Sequence, residues 1–141
     1  MEHFRAWELV CPHVYRKYGE QSLMFADIRL LRWLEWFRDI IDRPVTVNTY
    51  INGGLLTQRG YRCNLCSLVE TKTLAGEMYL SAHTRFQAVD FQVDDMLDEE
   101  VRQWIDRHRE VMPVNIRIEN NTSGWVHVDV ANDGYQKIIY F

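Results

Sequence analysis

The chain has no apolar run approaching the ~20 residues of a membrane-spanning helix. Nor does its N-terminus, MEHFRAWELV, carry the basic stretch followed by an apolar stretch of a secretory signal, so synthesis in the cytoplasm is expected. Its three cysteines, Cys11, Cys63 and Cys66, are too few and odd in number for a disulfide framework. With a formal net charge of −4 there is no global basic field to draw it to nucleic acid or an anionic membrane. No repeat, low-complexity tract or linker breaks the sequence. What remains is one domain over residues 1–141, long enough to bury a real core. Aromatic residues make up 13% of it, including five tryptophans, which implies a dense core or a recognition surface.

Hydrophobic periodicity divides the chain into elements. Residues 3–18 read as a short helix broken near Pro12 and ended near Gly19. Residues 25–42 place Leu30, Leu31, Leu34, Phe37 and Ile41 on one helical stripe, with Arg29, Arg32, Glu35, Asp39 and Arg43 opposite. Residues 45–50 alternate and are β-branched, as strands are. From Gly53 to about Leu80 the pattern is irregular, and so long an irregular stretch in a small domain is more often functional than idle. Residues 88–93 form the next strand and 94–110 a helix rich in acidic residues near its start. Residues 114–119, 125–130 and 137–141 read as strands, the first two joined as a hairpin by Asn120–Gly124. This order gives an α+β fold: a mainly antiparallel sheet, helices at the N-terminus, and one helix between strands.

Two polar groups stand out in apolar strands. In the run from Trp125 to Val130, Val126, Val128 and Val130 share one face, and Trp125, His127 and Asp129 the other. In residues 88–93, Asp90 lies opposite to Val89 and Phe91. A carboxylate in such a strand is costly unless something pairs with it. If both strands belong to one sheet, Asp90 and His127 face a common cleft, with His83 on the loop before the first strand. Two imidazoles and a carboxylate are zinc ligands at roughly 2.0–2.2 Å, and three protein ligands leave a fourth position open. A metal so held acidifies water and polarises a carbonyl.

At these residues the sequence resembles a known family. Ser81-Ala82-His83-Thr84-Arg85-Phe86-Gln87-Ala88-Val89-Asp90 is similar to the S-x-H-x-x-G-x-A-x-D signature of D-Ala-D-Ala carboxypeptidase-like zinc peptidases, a group related in fold to lysostaphin-type endopeptidases and the hedgehog signalling domain. Trp125-Val126-His127-Val128-Asp129 resembles the family's second motif, and Gly60-Tyr61-Arg62-Cys63 its S-G-Y-R-S segment. Order and spacing agree over about residues 45–130, and the build looks closest to short single-domain forms found in bacteriophages, endolysins among them. The resemblance implies one zinc ion held by His83, Asp90 and His127, and a substrate-binding arginine at Arg62, with Arg59 as the near alternative. Ser81 would hydrogen-bond substrate or fix its loop. The implied activity is cleavage of peptidoglycan stem peptides or crosslinks, on the cell wall after release or as a virion component. The alternative is a non-catalytic zinc-binding phage structural or interaction module on the same fold.

Two departures from the family pattern bear on that expectation. Phe86 replaces the signature glycine, so the loop after His83 must run differently or be filled by a ring. Gly124 stands where many members carry an acidic catalytic base, three positions before the last ligand. A peptidase needs some group to move a proton from water to the leaving amine. Asp129, on the strand face of His127, is the first candidate, with a ligand-orienting role as its alternative. Glu119, at the end of the preceding strand, is the second. Cys63-Asn64-Leu65-Cys66 is half of a structural zinc site; Cys11 and His13 complete it only if the N-terminal segment folds over this loop, and the simpler expectation is a pair of reduced thiols.

Overall fold

The N-terminal segment forms two short helices, α1 (Ala6–Leu9) and α2 (Pro12–Tyr18). Pro12 occupies the first turn of α2, where its missing N–H leaves no bond unmade. These features belong to a computed structural model that describes residues 1–141. A 3-10 segment, Gly19–Phe25, leads into α3 (Ile28–Ile41), whose first turn is capped by Asp27 accepting from the Arg29 amide. The sequence stripe is the buried face except at Leu31, which is half-buried: Leu30, Leu34, Phe37 and Ile41 are buried, joined by Trp33. Trp33 stacks on Phe37 at 4.9 Å between ring centroids, and Phe37 meets Phe91 edge-on at 5.2 Å. Phe4, Trp33, Phe37, Phe86 and Phe91 are the buried aromatics, and Tyr15, Tyr18, Trp36, Tyr61, Tyr79 and Trp104 pack against that core half-buried.

The sheet has five strands in the order β1-β2-β4-β3-β5. They are β1 (Val45–Thr46), β2 (Ala88–Val93), β3 (Ile116–Ile118), β4 (Val126–Asp129) and β5 (Ile138–Tyr140). All pairs are antiparallel except β3 with β5, which is parallel, so the sheet is mixed although mostly antiparallel. One face, including Val89, Phe91, Ile116, Ile118, Val126 and Val128, is fully buried in the core. Helix α5 (Asp98–Arg107) follows β2, with Val101 and Ile105 buried.

Two local expectations change, and a third, that a ring fills the loop after His83, is met. The strand expected over 45–50 pairs only at Val45 and Thr46, because the chain then turns toward the N-terminal segment: the Asn48 amide donates to Glu8 O and its side chain to Val10 O. The irregular stretch contains a helix, α4 (Ser67–Leu74), in which only Val69 is buried. Phe86 adopts the left-handed backbone conformation (φ 54°) that a glycine would adopt freely. Its ring is buried and stacks on Tyr61 at 5.2 Å. The departure from the signature is thus absorbed by a filled pocket.

The segment carrying Gly60 and Tyr61 lies directly on the N-terminal segment. Tyr61 N donates to Leu9 O at 2.8 Å, and Cys11 N donates to Tyr61 O at 3.1 Å. The two backbones are so close that a Cβ on Gly60 would collide with the Leu9 carbonyl.

Candidate metal centre

Register places the polar groups. Asp90 pairs directly with His127 across β2 and β4, and Ala88 with Asp129. On the other side of β4, Arg117 pairs with Asp129 and Ile118 with Val128. One residue further, Glu119 lies opposite His127 and its amide donates to His127 O at 3.4 Å. Directly opposed residues share a sheet face, so Asp90, His127 and Glu119 form a row across three strands.

His83 reaches this row from the 3-10 turn Ala82–Arg85, which Ser81 caps by accepting from the His83 amide at 3.2 Å. One donor atom from each of His83, Asp90 and His127 lies within 4.8 Å of the others, and all three residues are buried. His83 Nε2 is 3.3 Å from Asp90 Oδ2 and His127 Nδ1 is 2.7 Å from Asp90 Oδ1. Tetrahedral ligands at zinc bond lengths are spaced about 3.4 Å apart, so the His83–Asp90 pair sits at that spacing, while the His127–Asp90 pair is at hydrogen-bond distance and must open by about 0.7 Å to admit an ion.

The far nitrogen of each imidazole is also held. His83 Nδ1 donates to Gly60 O at 2.8 Å, which leaves Nε2 as the free lone pair. His127 Nε2 contacts Asp129 Oδ2 at 3.2 Å, which directs Nδ1 at Asp90. Such outer hydrogen bonds are what orient metal-binding histidines.

Electrostatics follow from this packing. Burial opposes ionisation of Asp90, but hydrogen bonds with His127 and His83 outweigh it and hold the carboxyl well below its ordinary range. Burial pushes the His83 imidazole down, against the pull of Asp90, and the net direction is down. His127 is also opposed by burial, but its bonds to Asp129 and Asp90 raise it to about 9. Two carboxylates, Asp90 and Asp129, thus converge on His127 and favour positive charge there. A divalent cation satisfies the same need with greater charge, and the donor set fits zinc.

Asp129 is not placed as a free base. It is fully buried, and it accepts from Arg117 Nε at 2.8 Å, Arg117 Nη2 at 2.9 Å and the Ala131 amide at 3.0 Å, besides His127. Burial alone would raise its pKa, but His127 and Arg117 lower it. These bonds fit the alternative role, orienting His127. Glu119 is only partly buried and lines the cleft over the ligands, a cavity of about 320 Å³ that also includes Trp125 and Phe141.

The two arginines are placed differently. Arg62 extends over the centre: Nη2 donates to Asp90 Oδ2 at 2.9 Å, Nη1 to Tyr79 Oη at 2.6 Å and Nε to Gln58 O at 2.6 Å. It thus clamps a ligand while still lining the cleft. Arg59 bridges Gln92 and Gly124 O on the rim, with burial pulling its pKa down. Tyr79, Arg117 and the Gly60 carbonyl carry no sequence signal of their own; the strand parity of Arg117 with Asp129 was the one available clue.

The N-terminal segment does fold over the C-x-x-C loop, and all three cysteines are free thiols. Cys11, His13, Cys63 and Cys66 each bring a donor atom within 4.8 Å of the others and could hold a metal ion. No family model, curated protein or solved structure matched the chain on comparison. No helix is long and apolar enough to cross a membrane.

Proposed function

We propose that the chain is a zinc-dependent peptidase acting on peptidoglycan stem peptides, at a bond involving D-alanine or a crosslink. The observation that carries this reading is the convergence of His83 Nε2, Asp90 and His127 Nδ1 at the floor of a cleft, with both far imidazole nitrogens already committed to Gly60 O and Asp129. A bound zinc would supply Lewis acidity to this floor. The fold that the sequence signature implies, that of the D-Ala-D-Ala peptidase and hedgehog group, is part of the same proposal.

The chain's own groups have separate tasks. Glu119 takes a proton from water in the cleft and returns it to the leaving amine nitrogen. Arg62 holds Asp90 and presents guanidinium charge to a substrate carbonyl or carboxylate, and Arg59 extends that charge along the rim. Ser81 fixes the turn that aims His83. The site would meet its substrate in the cell wall, after release or as a virion component.

The test is incubation of purified protein with peptidoglycan, with and without a chelator, followed by mass spectrometry of released peptides. Chelator-sensitive release of stem-peptide fragments is expected. Intact peptidoglycan in the presence of zinc-loaded protein would overturn the peptidase reading and favour a zinc-stabilised binding or phage structural module.

A further inference from the structure

We propose that Cys11, His13, Cys63 and Cys66 form a second, closed zinc site, a structural one that fastens the N-terminal segment to the loop carrying Arg62. The donor set is three sulfurs and one imidazole, a composition typical of four-coordinate structural zinc. Cys63 Sγ lies 3.6 Å from His13 Nδ1, Cys66 Sγ lies 3.9 Å from the same nitrogen, and the two sulfurs are 4.0 Å apart. Ligands on a tetrahedral zinc are spaced about 3.6 Å for sulfur–nitrogen pairs and about 3.8 Å for sulfur pairs. All three cysteines are free, and Cys11 and Cys66 are buried.

The backbone already brings the two halves together. Cys11 and His13 stand at the start of α2, Cys63 and Cys66 lead into α4, and the Cys11–Tyr61 and Tyr61–Leu9 hydrogen bonds run alongside. Four protein ligands leave no open position, so this site holds and does not catalyse. What it holds lies next to the cleft. Between the Cys11–Tyr61 bond and Cys63 lies Arg62, whose amide donates to His83 O and whose side chain reaches Asp90. Gly60, two residues before it, supplies the carbonyl that orients His83. The staple therefore fixes the segment that positions two of the three cleft ligands. The inference stands on its own donors, whether or not the cleft hydrolyses peptides.

The experiment is metal analysis of the purified, reduced chain, with zinc release by a mercurial thiol reagent followed with a chromogenic chelator. Two zinc ions per chain are expected, one of them released by the mercurial. The His83→Ala/His127→Ala variant should keep the mercurial-released ion, and Cys63→Ser/Cys66→Ser should keep only the other. Cobalt substitution gives a separate readout: thiolate-to-cobalt charge-transfer absorption in the wild type, absent from the cysteine variant. Since the cysteine variant can fail to fold, the wild-type mercurial result decides. No zinc released by thiol modification, with the thiols shown reduced, would overturn the site. For the fastening role, amide exchange at Tyr61 and Arg62 should accelerate on mercurial treatment; unchanged protection there would overturn it.

Discussion

Replacing Asp129 with asparagine separates a ligand-orienting carboxylate from a catalytic base. Asp129 accepts four hydrogen bonds: Oδ1 from Arg117 Nε and Ala131 N, Oδ2 from Arg117 Nη2 and His127 Nε2. An asparagine of the same shape has one acceptor oxygen and a donating amide. If its oxygen keeps the Oδ1 position, the amide faces two donors, and the His127 N–H loses its partner. Leaving buried donors unsatisfied beside a weakened ion pair costs about 2–4 kcal/mol, a melting-temperature drop on the order of 6–12 °C for a chain of this size. Loss of an outer partner of a metal-binding histidine typically weakens metal affinity by about 10–100-fold. Zinc affinity measured by competition with a fluorescent chelator should fall by that factor. Peptide release at saturating zinc should largely return. Unchanged zinc affinity together with abolished hydrolysis at saturating zinc would refute this reasoning and restore Asp129 as the base.

Glu119→Gln should do the opposite, leaving zinc affinity within about twofold and lowering the hydrolysis rate by the 10²–10⁴-fold typical of a lost general base, read as peptide release over time. At position 86 the usual order of alanine and glycine should invert. Phe86→Ala loses a buried ring at a cost of about 3–5 kcal/mol and keeps a side chain at positive φ. Phe86→Gly should be the more stable of the two by about 1 kcal/mol in denaturant unfolding, because the left-handed backbone is then unstrained. Asp27, held down to about 2 chiefly by its bond to Arg29, also caps α3 and accepts from Gln87. Its folded pKa is depressed, so its contribution of about 1–2 kcal/mol is present above the unfolded value near 3.9 and is lost as pH falls toward 2. The stability difference between wild type and Asp27→Asn, which keeps a good cap, should therefore shrink over that window in denaturant titrations.

The polar face of the sheet was legible because strands alternate with a period of two. Val126, Val128 and, just past the end of β4, Val130 share one side and so show where His127 and Asp129 point, and the observed register sets Asp90 directly against His127. The long stripe of α3 was legible for the same kind of reason, a sustained helical period with a charged back. Elements with little burial carried less signal. In α4 only Val69 is buried and two threonines weaken the helical preference, so no stripe marks it. The parallel pairing of β5 depends on how the chain returns after β4, which three residues of sequence do not encode. Strand parity put Asp129 ahead of Glu119 as a base; what argues for the reverse order is the ion pair with Arg117, twelve positions from Asp129, which parity alone does not reveal. The cysteine cluster could be read only conditionally for a similar reason: fifty residues separate Cys63 from His13, and only the path of the backbone over Gly60 joins them.

The close approach at Gly60 also sets the smallest piece of this chain that can work. The recognisable signatures all lie between residues 45 and 130, and a fragment cut to them would keep every proposed cleft ligand. It would lack Leu9, whose carbonyl seats Tyr61, and Val10, whose carbonyl takes the side chains of both Asn48 and Tyr50. Without that floor the Gly60 carbonyl has nothing to rest against, and His83 loses the reference that sets its tautomer. The first dozen residues thus support the cleft from behind, through Gly60 and Tyr61, without lining it, and a library of trimmed or fused variants should respect them as it would a ligand.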